Sequence, residues 1–273
     1  MSEAFASWVA ALRSGGRALA RAAPALDGVL REAYRRLPAT LHDTPTSFIR
    51  RYFRNAPTVR FIELGAHNGL GGDPIRELIV SDPRWKGILV EPNPAIFVEL
   101  EETYRVLDRV RLKRAAASDA PGTQAFYSFI APDDADPAEI LDWWSEISSF
   151  NRDHLIRHLP PRMHGAIAST EVEVVTVQGL MAEFGLERLD LLVMDIEGHE
   201  DAILGSLGSL GSLGDLGRGP SVIMFEHKHM SPETLARCAQ RFRDLGYGCK
   251  MYGRDAILHL SDRNGGGGHG SGR

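Results

Sequence analysis

Five acidic residues stand at the ends of apolar runs: Glu63, Glu91, Asp119 just past its run, Asp195 and Glu226. Carboxylates gathered on one rim repel one another unless a cationic or hydroxyl-rich ligand offsets them, so the set marks a candidate site. The first acid lies in Phe61-Ile62-Glu63-Leu64-Gly65-Ala66-His67-Asn68-Gly69, an apolar strand that runs into a turn with glycines spaced G-x-x-x-G. Gly65 and Gly69 can take positive φ and let the backbone approach a ligand closely. The spacing is not the G-x-G-x-x-G that cradles a pyrophosphate, which argues against a nicotinamide-dependent oxidoreductase. A ligand whose hydroxyls or amine seek a carboxylate fits better.

Histidines form a second group. Glu226-His227-Lys228-His229 ends an apolar run, and in an extended chain 227 and 229 share one face while 226 and 228 share the other. His154 and His158 are spaced i, i+4 on an expected helix, a metal-pair geometry with no third ligand nearby in sequence.

The elements that must position these groups alternate. Expected strands are Phe61–Leu64, Gly87–Glu91, Val110–Ala117, Asp190–Asp195 and Ser221–Glu226, with extra strands at Thr123–Ile130 and Glu171–Val177. Helices are expected at about 46–54, from about Asp73, after Pro92-Asn93-Pro94 to about Tyr104, and over Pro232–Leu245. Gly246–Met251 and Ala256–Leu260 read as a closing antiparallel pair. Strands alternating with helices imply an α/β, doubly wound, mostly parallel sheet, with ligands outside the carboxyl ends of the strands.

The chain divides into an N-terminal helical extension (1–55), a main domain (56–262) carrying an insertion (131–169), and a glycine-rich tail (263–273) expected to be disordered. Within the insertion, helices are expected at 137–146 and 151–158. Residues 205–217, GSLGSLGSLGDLG, repeat a three-residue unit and read as a surface loop. Residues 1–60 hold ten arginines against four acids, whereas the remainder is strongly acidic. The basic helices suit cover for a sheet edge or contact with a second copy of the chain, a homodimer in the latter case. An acidic main domain without a basic–aromatic stripe argues against nucleic acid. No apolar run of about 18 residues occurs, so no membrane span is expected, and the N-terminus has no signal-peptide pattern. Cys238 and Cys249 give neither a disulfide framework nor a zinc spacing, and read as thiols of a reducing, cytoplasmic setting.

Phe61–Gly69, Val90-Glu91-Pro92-Asn93-Pro94, Ala116-Ala117-Ser118-Asp119, Ile147-Ser148-Ser149-Phe150 and Leu189-Asp190-Leu191-Leu192-Val193-Met194-Asp195-Ile196-Glu197-Gly198-His199-Glu200, in that order, resemble the FkbM-like family of S-adenosylmethionine-dependent O-methyltransferases. The resemblance covers about residues 55–250. It implies a class I, Rossmann-like fold with a seven-stranded sheet, S-adenosylmethionine as methyl donor, and a small-molecule hydroxyl as acceptor. It further implies that Glu91 accepts the ribose hydroxyls, with Asn93 beside it. Glu63, Gly65, Ala66, His67 and Asn68 meet the methionine moiety, Ser118 and Asp119 bound the adenine, and Asp195 sits where donor and acceptor meet. Candidates for the catalytic base are His199, His227, Glu197 and Glu226. Asp195 with Glu226, joined by His227, could hold Mg²⁺, or could simply order water and substrate hydroxyls. Trp143-Trp144 precedes Ser148-Ser149 in the insertion. Adjacent tryptophans on a helix diverge by about 100°, so one can be core while the other, taken as Trp144, is exposed to stack on a sugar ring; core packing of both is the commoner alternative. Trp144, Ser148, Ser149 and His199 are expected on the acceptor side, and the tryptophans, the acidic rim and the basic N-terminal face favour a sugar or glycan over a polyketide-like metabolite. A non-catalytic S-adenosylmethionine-binding protein is the remaining alternative.

Overall fold

The computed structural model describes residues 43–132, 144, 147–207 and 219–261. The expected N-terminal helices, the expected 137–146 helix apart from Trp144, the triplet segment from residue 208 and the glycine-rich tail lie outside the described residues. The chain forms two compact units, Met1–Ser47 and Phe48–Arg273. In the first, the Ser47 N–H donates to Thr44 Oγ1 at 3.1 Å and the Thr44 N–H donates to Ser47 Oγ at 3.0 Å, a reciprocal cap that starts a helix. In the second, Ile49 and Phe53 are buried in one cluster with Val59, Phe61 and Trp85.

In chain order the elements are α1 (Pro45–Tyr52), β1 (Val59–Leu64), α2 (Arg76–Ser81), β2 (Trp85–Val90), α3 (Pro94–Tyr104), β3 (Val110–Lys113), β4 (Ala116–Ala117), β5 (Gly122–Phe129), β6 (Ser148–Ser149), α4 (Arg152–His158), a 3₁₀ turn (Pro161–Ala166), β7 (Ile167–Val175), α5 (Val177–Glu183), β8 (Leu191–Met194), α6 (Glu200–Leu207), β9 (Val222–Glu226), α7 (Pro232–Asp244), β10 (Tyr247–Tyr252) and β11 (Asp255–Leu260). Seven strands form the main sheet in the order β10-β11-β9-β8-β1-β2-β3. β3, β2, β1, β8 and β9 are mutually parallel, while β11 runs antiparallel to both β9 and β10. This is the doubly wound α/β sheet expected from the alternation of elements, closed by the expected antiparallel pair.

Both faces of the sheet are covered, which explains why the parallel strands are continuous apolar runs rather than alternating ones. Ile62, Leu64, Ile88, Val90, Leu192, Met194, Ile223 and Phe225 enter one buried layer. Phe61, Leu89, Leu191, Val193 and Met224 enter the other, as the period of two requires. After β1 the chain winds outward through β2 and β3, then returns to place β8 on the other side of β1. The order therefore reverses between β1 and β8, and the crevice outside their carboxyl ends is where such sheets bind ligands.

The expected single strand Val110–Ala117 is divided between two sheets. Val110–Lys113 pairs with β2, whereas Ala116–Ala117 pairs with β7 in a second sheet of order β4-β7-β5-β6. Ala115, Ala116 and Ala117 are all buried, so the crossing places only small side chains in the core. This second sheet carries the insertion. Phe129, Ile147, Leu155, Leu159 and Met163 form its own core, and Trp144 belongs to it. Trp144 is 4% exposed, its ring edge-to-face with Phe129 at 5.5 Å. The expectation of an exposed Trp144 stacking on a sugar is therefore wrong: the ring is the largest apolar group of a small core and is spent on packing.

Candidate active site

Backbone pairing at the switch point brings three loops together. Leu64 is in register with both Val90 and Met194. Beyond it, the N–H groups of Gly65 and Ala66 both donate to the Val90 carbonyl at 3.0 Å, and the Asp195 N–H donates to the Leu64 carbonyl at 3.0 Å. Gly65 has φ +80°, and a Cβ there would lie 1.9 Å from the Asp195 carbonyl oxygen. Only glycine permits this approach.

Glu63 and Glu91 are 3% and 5% exposed. The Glu91 carboxylate accepts the His67 N–H on Oε2 at 3.0 Å and the Asn93 N–H on Oε1 at 2.9 Å. Each oxygen keeps a lone pair for a further donor. Burial raises this carboxyl to about 7 despite the two N–H donors, which favour the charged form. Glu63 is likewise pushed up by burial, then by Asp73, with which it shares a hydrogen bond, and by Asp195. Two hydrogen-bonded carboxyls must hold a proton between them. Asp73 also accepts the N–H groups of Ile75 and Arg76, both at 2.7 Å, and the Tyr104 hydroxyl donates to it at 3.2 Å. Glu63 Oε2 and His67 Nε2 are buried without a hydrogen-bond partner among the described residues.

Some expected binding residues face the scaffold. The Asn68 side chain donates to Glu99 on α3 at 3.0 Å and accepts the Leu70 N–H at 3.1 Å. Asn93 Oδ1 caps α3 by accepting the Ala95 N–H at 3.0 Å. Both contacts order the loop. Ser118 Oγ donates to Asp119 at 2.9 Å, and His199 Nε2 lies 2.8 Å from the same oxygen. The His199 ring packs edge-on against Phe150 at 5.2 Å. As a base candidate His199 is thus engaged on the Ser118 side of the crevice, tying the turn after β8 to the loop after β4. Ser148 and Ser149 form the edge strand β6, and Ser149 Oγ accepts the Asn151 N–H at 3.2 Å.

The turn after β8 is shaped by Glu200, whose carboxyl accepts the N–H groups of Ile196 at 2.9 Å and Gly198 at 3.0 Å. Glu197 adopts φ +53° there, an uncommon conformation for a side chain other than glycine. Its carboxylate lies 2.9 Å from His229 Nε2, 3.2 Å from Lys228 Nζ and 3.6 Å from His154 Nε2. Burial opposes its ionisation, but the His154 hydrogen bond, the Lys228 charge and His229 outweigh it and hold Glu197 at about 2. Asp195 opens onto the cleft, yet crowding of its carboxyl by protein, together with Glu226, Glu197 and Glu200, raises it to about 7. Burial lifts Glu200 to about 7 as well. Asp195, Glu197 and Glu226, which include the two acids the sequence expectation gave to Mg²⁺, bring carboxylate oxygens within 4.8 Å of one another, and Lys228 Nζ lies 3.2 Å from Glu226 Oε2. The His227 N–H donates to the Arg254 carbonyl at 2.8 Å, and its Nε2 is buried without a partner among the described residues.

Sequence reasoning gives Asp73 and Glu200 no role, and it notes His154, Lys228 and His229 without joining them to Glu197. Asp73 and Glu200 sit at helix starts, where an acid reads first as a cap. The His154–Glu197 contact joins elements far apart in sequence, and no local pattern announces it.

The domain profile described as "Methyltransferase FkbM domain" matches residues 63–249. A "2-O-methyltransferase NoeI" of Sinorhizobium fredii (strain NBRC 101917 / NGR234) is 29% identical over 150 residues, 54% of this chain; the match spans 57% of that protein, just over half its length. Among solved structures, the "METTL16 MTase domain" aligns over 80% of this chain and 66% of its own at 10% identity and a TM-score of 0.43. Precorrin-6y C5,15-methyltransferase from Geobacter metallireducens GS-15 aligns over 79% and 87% at 13% identity and a TM-score of 0.36. No helix among the described residues is long and apolar enough to cross a membrane. The matched segment begins at the buried acid of β1 and holds every loop of the crevice, and the chain belongs to the FkbM family of S-adenosylmethionine-dependent methyltransferases.

Proposed function

We propose that this chain transfers a methyl group from S-adenosylmethionine to a hydroxyl oxygen of a polyhydroxylated small molecule, a sugar or glycan. The donor, when bound, supplies an electrophilic methyl on a sulfonium centre. The crevice fits it in three respects: Gly65 has no room for a side chain, Glu63 keeps a buried oxygen without a partner, and Glu91 keeps free lone pairs on both oxygens. Glu91 would accept the ribose hydroxyls, Glu63 would meet the methionine ammonium, and Ser118 with Asp119 would border the adenine.

The observation that carries hydroxyl chemistry is Asp195. It stands at the switch point with its carboxyl at about 7, near the pH at which a general base both accepts a proton and remains ionised. It would take the proton from the acceptor oxygen as the new C–O bond forms. Glu197, Glu226 and Lys228 beside it offer hydrogen-bond acceptors and a donor, which suits an acceptor with several hydroxyls. The "2-O-methyltransferase" in the name of the NoeI relative supports oxygen as the acceptor atom. Alignment of the reactants contributes about 7–11 kcal/mol and a positioned base about 10²–10⁴-fold, so positioning is the larger effect.

The test is methyl transfer from isotopically labelled donor to a panel of saccharides, polyketide alcohols and amines. Transfer to a saccharide is expected. Asp195→Asn should lower kcat by about 10²–10⁴-fold with little change in S-adenosylhomocysteine affinity. Exclusive transfer to amines, or a fully active Asp195→Asn variant, would overturn the reading.

A further inference from the structure

We infer that His154, Glu197 and His229 form a binding site for one divalent transition-metal ion, Zn²⁺ by ligand chemistry. The three residues come from α4 in the insertion, the turn after β8 and the segment after β9. Their ligand atoms all lie within 4.8 Å of one another. Glu197 Oε2 is 2.9 Å from His229 Nε2 and 3.6 Å from His154 Nε2. Bonds of about 2.0–2.1 Å in a tetrahedral shell place neighbouring ligands about 3.4 Å apart, so an ion fits with small side-chain shifts. Two imidazoles and one carboxylate suit zinc, whereas Mg²⁺ and Ca²⁺ take oxygen sets.

The surroundings hold these ligands in place. His154 is 6% exposed, and the neighbouring His158 ring lies 4.5 Å from its ring. His158 Nδ1 is 2.8 Å from the His154 carbonyl oxygen, so His158 supports the site rather than completing the i, i+4 pair read from the sequence. Glu197, at φ +53° in its turn, brings one carboxylate oxygen to both imidazoles. A Cβ at Gly198 would come within 3.3 Å of the His229 Cβ, so glycine there lets His229 close onto the turn. Lys228 shares the Glu197 carboxylate but also reaches Glu226 at 3.2 Å, and Glu226 can retain the ammonium when the ion takes Glu197. Three protein ligands leave a fourth position for water or an acceptor oxygen. The ion would also clip the insertion to the rim of the crevice.

The experiment uses the full chain, freed of metal by chelator dialysis, with no donor or acceptor present. Zn²⁺ is titrated against a chromophoric chelator, and Co²⁺ is added separately for its visible absorption. One equivalent of Zn²⁺ and the cobalt bands of four- or five-coordination are expected. His154→Gln and His229→Gln should each weaken Zn²⁺ binding by at least about tenfold, the loss seen when a metal site is disturbed. Lys228→Met, which removes a competing cation, should strengthen it, while His158→Ala should leave it within a few-fold. Thermal unfolding without metal checks that each variant folds; if His154→Gln does not, His229→Gln and Lys228→Met decide the question. Absence of stoichiometric binding, or affinity unchanged in His229→Gln, would overturn the inference. Since the titration needs no methyl transfer, its failure leaves the proposed activity intact, and loss of that activity leaves the metal site intact.

Discussion

Glu91 offers the sharpest test of the donor crevice. Burial lifts its carboxyl from the ordinary 4.5 to about 7, while the Asn93 and His67 N–H groups favour the charged form. Ribose hydroxyls would donate two more hydrogen bonds to the same carboxylate and favour ionisation further. The proton on Glu91 therefore competes with the ligand below pH 7. For a free-protein value near 7, the dissociation constant of S-adenosylhomocysteine rises about tenfold from pH 8 to pH 6. Glu91→Gln removes that titration and one charge-assisted acceptor, worth about 1.5–3 kcal/mol, so affinity at pH 8 falls by about 10–150-fold and its pH profile flattens. Folding responds to the same proton. Between 4.5 and 7 the folded chain keeps a proton that the unfolded chain has lost, so stability falls as pH rises through that window, by an order of about 3 kcal/mol for this group. Calorimetric titration at pH 6, 7 and 8, in buffers of different ionisation enthalpy, measures both the affinity and the proton released. An affinity constant from pH 8 to pH 6, or a Glu91→Gln variant that binds like the wild type, would refute the assignment.

Gly65→Ala drives a Cβ into the Asp195 carbonyl at an unfavourable φ, and should cost more than about 3 kcal/mol in chemical denaturation. Trp144→Ala should destabilise by about 3–5 kcal/mol, read as a lower Tm, with no selective rise in acceptor KM, because the ring is buried against Phe129. Glu200→Ala leaves the Ile196 and Gly198 N–H groups without their carboxylate, about 1–3 kcal/mol each if water does not replace it, and the loss should appear in thermal unfolding.

The sheet was legible because its information is local. Leu191–Met194 and Val222–Glu226 are short apolar runs bounded by polar residues, and such runs read directly as buried parallel strands. The acids at the strand tips follow from the same pattern. The division of Val110–Ala117 was not legible, since Ala116–Ala117 leaves the main sheet only because β7 offers it a partner more than fifty residues later. Trp144 misled for a similar reason. Its burial depends on Phe129, Leu155 and Met163, and nothing in the tryptophan pair says which ring they cover. The His154–Glu197–His229 cluster needs three separate segments and a positive φ at Glu197, which a sequence pattern does not encode.

The turn from Asp195 to Glu200 links parts of the site that the sequence presents separately. The Asp195 carbonyl packs where a Gly65 side chain would be, so the turn bounds the loop proposed for the donor. His199 reaches Ser118, on the side assigned to the adenine. Glu197 reaches His154 in the insertion and Lys228 beyond β9, on the side proposed for the acceptor. Glu200 holds the turn in shape by taking two of its N–H groups. A change in the shape of the turn must therefore move donor and acceptor groups together, whereas a change in charge at its first residue need not. Glu200→Ala should accordingly lower donor affinity and turnover in parallel, while Asp195→Asn separates them. That contrast distinguishes a residue that shapes the site from one that acts in it.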